Sequence, residues 1–122
     1  MTVLFSKSKK FGLCSELFAT GVSDIWVKKG LEGCSLISSE RGFDFPAPEA
    51  RVIDCTGAGD AFNAAVVWGY VNGLDVKETG IYANVYAGIS TERLGAATSY
   101  PDKESMLKSK YYKSIKTGVK VL

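Results

Sequence analysis

The segment 52–62 contains the residue types needed to bind and transfer a phosphoryl group. Its sequence, VIDCTGAGDAF, joins a β-branched lead-in to a turn of small residues and then to an aspartate. Gly57 and Gly59 allow close backbone approaches, and the apolar spacing after Asp60 is helical. A strand–turn–helix junction of this kind presents free backbone N–H groups to an anion. The segment therefore predicts an anion site at the start of a helix.

Phosphoryl transfer to an alcohol needs donors for the moving oxygens and a carboxylate that accepts the hydroxyl proton. Backbone N–H groups of the turn can supply the donors, and the Asp60 carboxylate can act as general base. A structural interpretation also fits the short motif, with Asp60 capping the helix and the glycines forming a tight turn. The residues assigned to the transfer site are Gly57, Ala58, Gly59 and Asp60.

The longer string 54–64, DCTGAGDAFNA, resembles the D-T-T-G-A-G-D-A-F signature of the ribokinase/pfkB family of carbohydrate kinases. Three other segments resemble family motifs in the same order along the chain. Residues 27–34 are similar to the T-x-G-x-x-G nucleotide segment, 83–88 to a small-residue helix near the adenine, and 91–99 to the following G-A turn. The resemblance covers residues 10–105, which is nearly the whole chain.

The resemblance implies a ribokinase-like α/β fold, with a partial central sheet flanked by helices and without the N-terminal half and lid of longer family members. It implies ATP-dependent phosphorylation of a sugar or sugar-acid hydroxyl, with Mg²⁺ carried on the nucleotide phosphates. Asp60 would be the base, residues 57–59 would hold the phosphates, and ATP and a small sugar would be the partners. The nucleotide side would be lined by Lys28, Gly30, Gly33 and Asn84.

Lys28 departs from the family pattern, which usually has Thr or Ser at this position. A hydroxyl contact to phosphate is then lost, but a lysine ammonium can serve the same phosphate as a point charge. Cys55, where the family commonly has Thr, is a more modest change.

The resemblance also implies a monovalent cation such as K⁺ beside the anion hole. Asp54 can equally be a strand-end residue that is satisfied by local N–H groups. On matching positions, the cation site would consist of Asp54, Thr56, Ser90, Arg93, Gly95 and Ser99.

The chain has 122 residues, whereas family members are much longer. The resemblance therefore implies a single domain over 1–122 that corresponds to the C-terminal nucleotide-binding and catalytic part. Residues 1–9 would be an irregular leader or, at their start, a remnant strand. The alternative function is an inactive nucleotide-binding remnant, or a half-enzyme that needs a second chain for its acceptor pocket. Exposed apolar surface should then lead to a homodimer or to association with the missing N-terminal half.

Composition argues against several other classes of protein. The chain is 46% hydrophobic and 23% charged, which is typical of a globular domain, and its net charge of +2 gives no support for nucleic-acid binding. Three cysteines without a C-x-x-C pair, and no histidine, argue against a zinc site and histidine-dependent catalysis. No apolar run approaches the roughly 20 residues that span a bilayer, and no signal-peptide pattern is present, so we expect a cytoplasmic protein.

The elements that position the motif follow from periodicity and turn residues. A short helix should be stopped by Gly21, and a turn at Gly30 and Gly33 should join two strands. Pro46 and Pro48 should mark an irregular connection to the strand that delivers the motif. The predicted elements are a helix over 11–19 and strands over 24–27, 34–38, 43–45 and 51–53.

Three further helices are predicted after the turn. The first should bury residues 58, 61, 62, 65, 66, 69 and 70 and, on a second side, Val67 and Val71, and should end at 72–73. Asp75 should cap the next helix, whose small residues at 80, 83, 87 and 88 favour close helix–helix packing. Within it Asn84 needs a polar partner, for which the resemblance suggests adenine or ribose. The last helix should begin at Asp102 and bury Met106, Leu107, Tyr111 and Ile115.

Overall fold

The chain folds into a sheet with helices on both faces. The structure, a computed structural model, describes residues 2–6, 12–38, 41–50, 52–54, 57–92 and 103–122. Its elements are β1 (Thr2–Ser6), α1 (Gly12–Ala19), β2 (Asp24–Lys28), a 3₁₀ turn (Gly30–Glu32), β3 (Cys34–Ser38), β4 (Gly42–Phe45), α2 (Ala58–Val71), α3 (Val76–Ser90), α4 (Lys103–Lys108), α5 (Lys110–Gly118) and β5 (Lys120–Val121). The first predicted helix and the strands predicted over 24–27, 34–38 and 43–45 are present within one residue of their predicted bounds.

The five strands lie in the order β1-β2-β3-β4-β5. β1 runs parallel to β2, with α1 in the connection, and the remaining neighbours are antiparallel. The predicted α/β class is therefore confirmed. Residues 2–6 form a strand, so of the two alternatives for the N-terminal segment the strand is correct there and the irregular leader is wrong for those residues.

Side-chain alternation gives the sheet two different apolar faces. The main core lies between one face and α2, α3, α4 and α5, and it includes Trp26, Leu36, Phe43 and Phe45. A smaller cluster on the other face joins Ile25 to residues of α1. Within the part of the chain that the structure describes, no helix is long and apolar enough to cross a membrane.

Helix α2 buries one face rather than two. Its buried residues are Ala61, Phe62, Ala65, Val66 and Gly69. Val67 and Val71 are 58% and 78% exposed, so the predicted second buried side is wrong. At 100° per residue these two valines lie opposite the centre of the buried face, which packs on the sheet and α3.

Helix α3 begins as predicted, because the Asp75 side chain accepts a hydrogen bond of 2.8 Å from the Glu78 N–H. Helix α3 packs closely on α2, as predicted, where a Cβ built on Gly69 would lie 2.5 Å from Thr79, but its two glycines face other elements. A Cβ built on Gly80 would lie 2.2 Å from the Phe45 ring, and one on Gly88 would lie 2.2 Å from Pro48. The glycines therefore admit β4 and the proline connection rather than another helix.

Residues 52–54 do not form the predicted strand. The N–H groups of Ile53 and Asp54 both donate to the Thr91 carbonyl, at 2.7 and 2.9 Å, which ties this segment to the end of α3. Val52 and Ile53 are 49% and 57% exposed, so they are not the end of a buried strand. The position beside β4 is already taken by β5, where Phe43 is paired with residue 121.

The predicted last helix is divided into α4 and α5 at Ser109, whose side chain accepts from the Tyr111 N–H and caps α5. Met106, Tyr111 and Ile115 are buried as predicted, but Leu107 is 44% exposed. The predicted burial of Leu107 is wrong, because the break at Ser109 interrupts the single helix face on which that prediction depended. The predicted cap, residue 102, lies outside the described residues.

Candidate active site

A cavity of about 300 Å³ lies between the 3₁₀ turn, the proline connection, the start of α2 and the second half of α3. Four segments that are far apart in the sequence therefore meet at one place. The predicted site residues that line the cavity are Lys28, Gly30, Gly33, Ala58, Gly59 and Asn84.

The glycine turn opens α2, and its residues Ala58 and Gly59 line the cavity. Gly57 is the N-cap residue, with φ +80°, and its carbonyl accepts the first intrahelical bond from the Ala61 N–H at 2.8 Å. A left-handed conformation is strained for residues with a side chain. The N–H groups of the first turn of a helix have no intrahelical acceptor and can bind an anion.

Asp60 is the third residue of α2 and is exposed to solvent. Because the N-cap position is occupied by Gly57 and no side chain caps this helix, the interpretation of Asp60 as a helix cap is wrong. Its carboxylate can still interact favourably with the helix dipole. Its exposure leaves it accessible to a hydroxyl group that approaches the glycine turn.

Lys28 ends β2 and, like Trp26, points to the face of the sheet that carries α2. Its Nζ donates to Asn63 Oδ1 at 3.1 Å. A Cβ built on Gly59 would lie 3.8 Å from the same Nζ. The ammonium therefore lies beside the glycine turn, where it can contact an anion bound there.

The turn after β2 forms another wall of the cavity. Gly30 and Gly33 have φ of +60° and +86°, and a Cβ built on Gly33 would lie 1.9 Å from the Phe45 carbonyl oxygen. Only glycine fits at Gly33, because the turn packs directly against the backbone at the end of β4. Leu31, within the turn, is 87% exposed at the cavity wall.

Asn84 has its polar partners inside the protein. Its Nδ2 donates to the Gly80 carbonyl at 2.8 Å and to Cys34 Sγ at 3.1 Å. Burial raises the pKa of the Cys34 thiol to about 12, so this sulfur stays protonated and neutral. The argument that the Asn84 amide needs a ligand is therefore wrong, although the residue lines the cavity as predicted.

Comparison with known proteins assigns this arrangement to a family. Residues 10–103 match the pfkB family of carbohydrate kinases. The chain belongs to the pfkB family. An uncharacterized sugar kinase from Pyrococcus horikoshii is 43% identical over 83 residues, which are 66% of this chain and 26% of that protein.

Solved structures give the same assignment for the fold. The Pyrococcus horikoshii sugar kinase in complex with ATP is 33% identical, with a TM-score of 0.68 over 93% of this chain and 38% of that one. Arabidopsis thaliana ribokinase complexed with ribose and ATP is 30% identical, with a TM-score of 0.74 over 90% of this chain and 40% of that one. The fold is thus ribokinase-like, and the pfkB chain spans well under half the length of these relatives.

Part of the predicted cation site of the pfkB chain can be located. Asp54 is tied through its N–H to Thr91, the residue after Ser90, and Ser90 is buried with its Oγ donating to the Ala87 carbonyl at 2.6 Å. The described residues contain no group of three or more Cys, Asp or Glu that could hold a metal ion. The other predicted ligands, Thr56, Arg93, Gly95 and Ser99, lie outside the described residues.

Two contributors to the site were missed from the sequence. Asn63 holds the Lys28 ammonium. The sequence signal for Asn63 was its position four residues after Gly59, because this spacing places Gly59 and Asn63 on one side of α2. Thr91 anchors the segment before the glycine turn through its carbonyl, and a backbone acceptor leaves no signal in residue type.

Proposed function

We propose that this pfkB chain binds Mg·ATP and carries the phosphoryl-transfer site of a carbohydrate kinase. The observation that supports this most directly is the meeting of the glycine turn, the Gly30/Gly33 turn and Lys28 around one cavity. The cavity volume of about 300 Å³ is in the range of small-molecule sites. Two relatives of similar fold are in complex with ATP.

The nucleotide would lie with its phosphates at the start of α2. The N–H groups of residues 57–60 and the Lys28 ammonium would contact the phosphate oxygens, since both are donors beside the turn. The adenine of the nucleotide would lie toward the apolar residues of the proline connection and Ala87. Mg²⁺ carried by the phosphates would take oxygen ligands, and Asp54 and Asp60, which flank the turn in the sequence, would be the carboxylates able to supply them.

Asp60 would act as general base. A sugar hydroxyl oxygen would attack the γ-phosphorus of ATP, its proton would pass to the Asp60 carboxylate, and ADP would leave. The donors of the turn would stabilise the charge on the transferred oxygens. When bound, Mg²⁺ would neutralise part of the phosphate charge, and a monovalent cation held at Asp54 and Ser90 would add to that effect.

The acceptor is proposed to be a sugar or sugar-acid hydroxyl, and the reaction to take place in the cytoplasm, where ATP is available. Ribose is bound by the Arabidopsis thaliana relative. A second candidate is a half-site that binds nucleotide while another chain, a second copy or a separate polypeptide, supplies the acceptor pocket. The exposure of Val67 and Val71 favours that candidate, because two apolar side chains on one exposed helix face suit a polypeptide contact.

Calorimetric titration with Mg·ATP tests the nucleotide site. Gly57→Val should abolish binding, because it removes the left-handed conformation and blocks the N–H groups, whereas Asp60→Asn should retain it. Gly73→Val is the matched control, since Gly73 has φ +71° at the other end of α2 and no atom within 4 Å of a built Cβ. Absence of binding by the folded wild-type chain would overturn the proposal.

A coupled assay of ADP release with a panel of sugars and sugar acids tests the transfer step. Asp60→Asn should lower the rate by roughly 10²- to 10⁴-fold while the affinity for Mg·ATP stays within a fewfold. Binding of Mg·ATP without sugar-dependent ADP release would favour the half-site. Full activity of Asp60→Asn would exclude this residue as the base.

A further inference from the structure

We propose that Asn63 is a positioning residue, which holds the Lys28 ammonium against the β- and γ-phosphates of the nucleotide without neutralising its charge. This inference rests on the proposed function, because it concerns the same cavity. It assigns a role to a side chain that the sequence motif alone did not explain, and it predicts which part of ATP the pair recognises.

The two neighbouring lysines at the end of β2 have different partners, one charged and one neutral. Lys29 forms an ion pair with Asp44 at 2.7 Å on the face of the sheet away from α2. Lys28 is bonded instead to the neutral amide of Asn63, at 3.1 Å. Across the ranges that the structure describes, Lys28 forms no ion pair within 4.0 Å. The amide therefore fixes the position of the ammonium and leaves its full positive charge.

That charge lies in an electrostatically unfavourable place. The ammonium is next to the start of α2, where the helix dipole is positive and where cations are destabilised. An anion bound at the glycine turn would be attracted by the dipole and by the ammonium together. The juxtaposition thus favours a polyphosphate over an uncharged ligand and makes the retained charge useful once a nucleotide is bound.

The distribution of groups in the cavity assigns the pair to the terminal phosphates. The Lys28 ammonium lies beside Gly59, which immediately precedes the proposed base Asp60 in the first turn of α2, so it lies near the residue at which transfer would occur. The apolar lining residues Ala47, Pro48 and Ala87 come from the proline connection and α3 instead. AMP, which has neither terminal phosphate, should gain little from the Lys28 ammonium.

Asn63→Asp separates a positioning role from a structural one. A carboxylate at this position would form an ion pair with Lys28, so the contact that links β2 to α2 would be kept or strengthened while the positive charge would be neutralised. We expect the affinity for Mg·ATP to fall roughly 10- to 100-fold, as for loss of a charge-assisted hydrogen bond, and the melting temperature not to fall. Lys28→Met should weaken Mg·ATP binding to a similar extent.

The measurement is calorimetric titration of wild type, Asn63→Asp and Lys28→Met with Mg·ATP, Mg·ADP and AMP. Asn72→Asp, at the far end of α2, is the control for a change of one charge on the same helix. In both site variants we expect the affinity for Mg·ATP to fall strongly and the affinity for AMP to change by less than about twofold. Asn72→Asp should bind every nucleotide like wild type.

The outcomes distinguish this inference from the proposal on which it depends. If the wild-type chain binds Mg·ATP and both variants bind it equally well, the positioning role is wrong and the nucleotide site stands. If the affinities for AMP and Mg·ATP fall by the same factor, the positioning role is also wrong, because the variants then disturb the cavity in general. If the wild-type chain binds no nucleotide, the proposed function itself fails.

Discussion

Replacing Gly80 by alanine should lower the free energy of unfolding, although the same change in an isolated helix would raise it. Gly80 lies within α3, where alanine is intrinsically favoured over glycine by about 1 kcal/mol. In the folded chain, a Cβ at this position would lie 2.2, 2.4 and 2.6 Å from three atoms of the Phe45 ring. All three distances are shorter than real Cβ contacts, so a neighbour must move.

The Phe45 ring has little freedom to move. It is fully buried and stacks on Trp26 with 5.9 Å between ring centroids. Overpacking a core of this kind costs about 3 kcal/mol at the upper end of the usual range, and three simultaneous clashes place Gly80→Ala at that end. Subtracting the gain in helix propensity leaves a net destabilisation of about 2 kcal/mol.

Urea unfolding followed by circular dichroism measures this difference directly. Gly59→Ala is the matched control, because it is also a helical glycine but its Cβ would meet only Lys28 Nζ, at 3.8 Å. Gly59→Ala should therefore be neutral or slightly stabilising. Combining Gly80→Ala with Phe45→Leu should give a smaller loss than the sum of the two single variants, since the smaller side chain relieves the clash.

A Gly80→Ala chain as stable as wild type, or more stable, would contradict this reasoning. It would mean that helix propensity outweighs the contact with β4 and that the two elements do not approach as closely as the structure shows. The packing of α3 against the cavity would then need to be revised.

Three further changes have expected outcomes. Gly33→Ala should destabilise the chain by about 3 kcal/mol or more, because its Cβ would overlap a backbone oxygen of β4, whereas Gly30→Ala has open space and should cost about 1 kcal/mol in thermal unfolding. Asp75→Ala should cost about 1 kcal/mol in urea unfolding through loss of the α3 cap, and Asp75→Asn should restore most of it. Burial and the hydrogen bond to Glu78 raise the pKa of Tyr112 above its ordinary value, so the folded chain retains a proton that the unfolded chain loses. Stability should therefore fall as the pH rises above about 10, the ordinary tyrosine pKa, and Tyr112→Phe should flatten that fall in urea midpoints measured from pH 8 to 11.

Local features of this protein could be predicted from the sequence. The start of α2 after Gly57 and the Asp75 cap of α3 were correct, because turns and caps depend on residues within one helical turn of each other. The strands β2, β3 and β4 were also correct, because alternating β-branched and aromatic residues were separated by clear turn residues.

The predictions that were wrong concern features that depend on contacts between distant segments of the chain. Residues 51–53 have the composition of a strand, but β5 occupies the neighbouring edge of the sheet, and residues 53–54 bond to Thr91 instead. Val67 and Val71 are apolar, as core residues usually are, yet no described element covers them. Neither outcome could be read from neighbours in the chain.

The candidate site shows the same division. The sequence by itself determined the glycine turn, the helix that follows it and the place of Asp60 in the first helical turn, since short-range backbone conformation decides all three. Only the tertiary structure decided that Lys28 meets Asn63, 35 residues away, and that Asn84 finds its partners within the protein. The physical reason is that such contacts depend on how the sheet and helices stack, which is a property of the whole packed core.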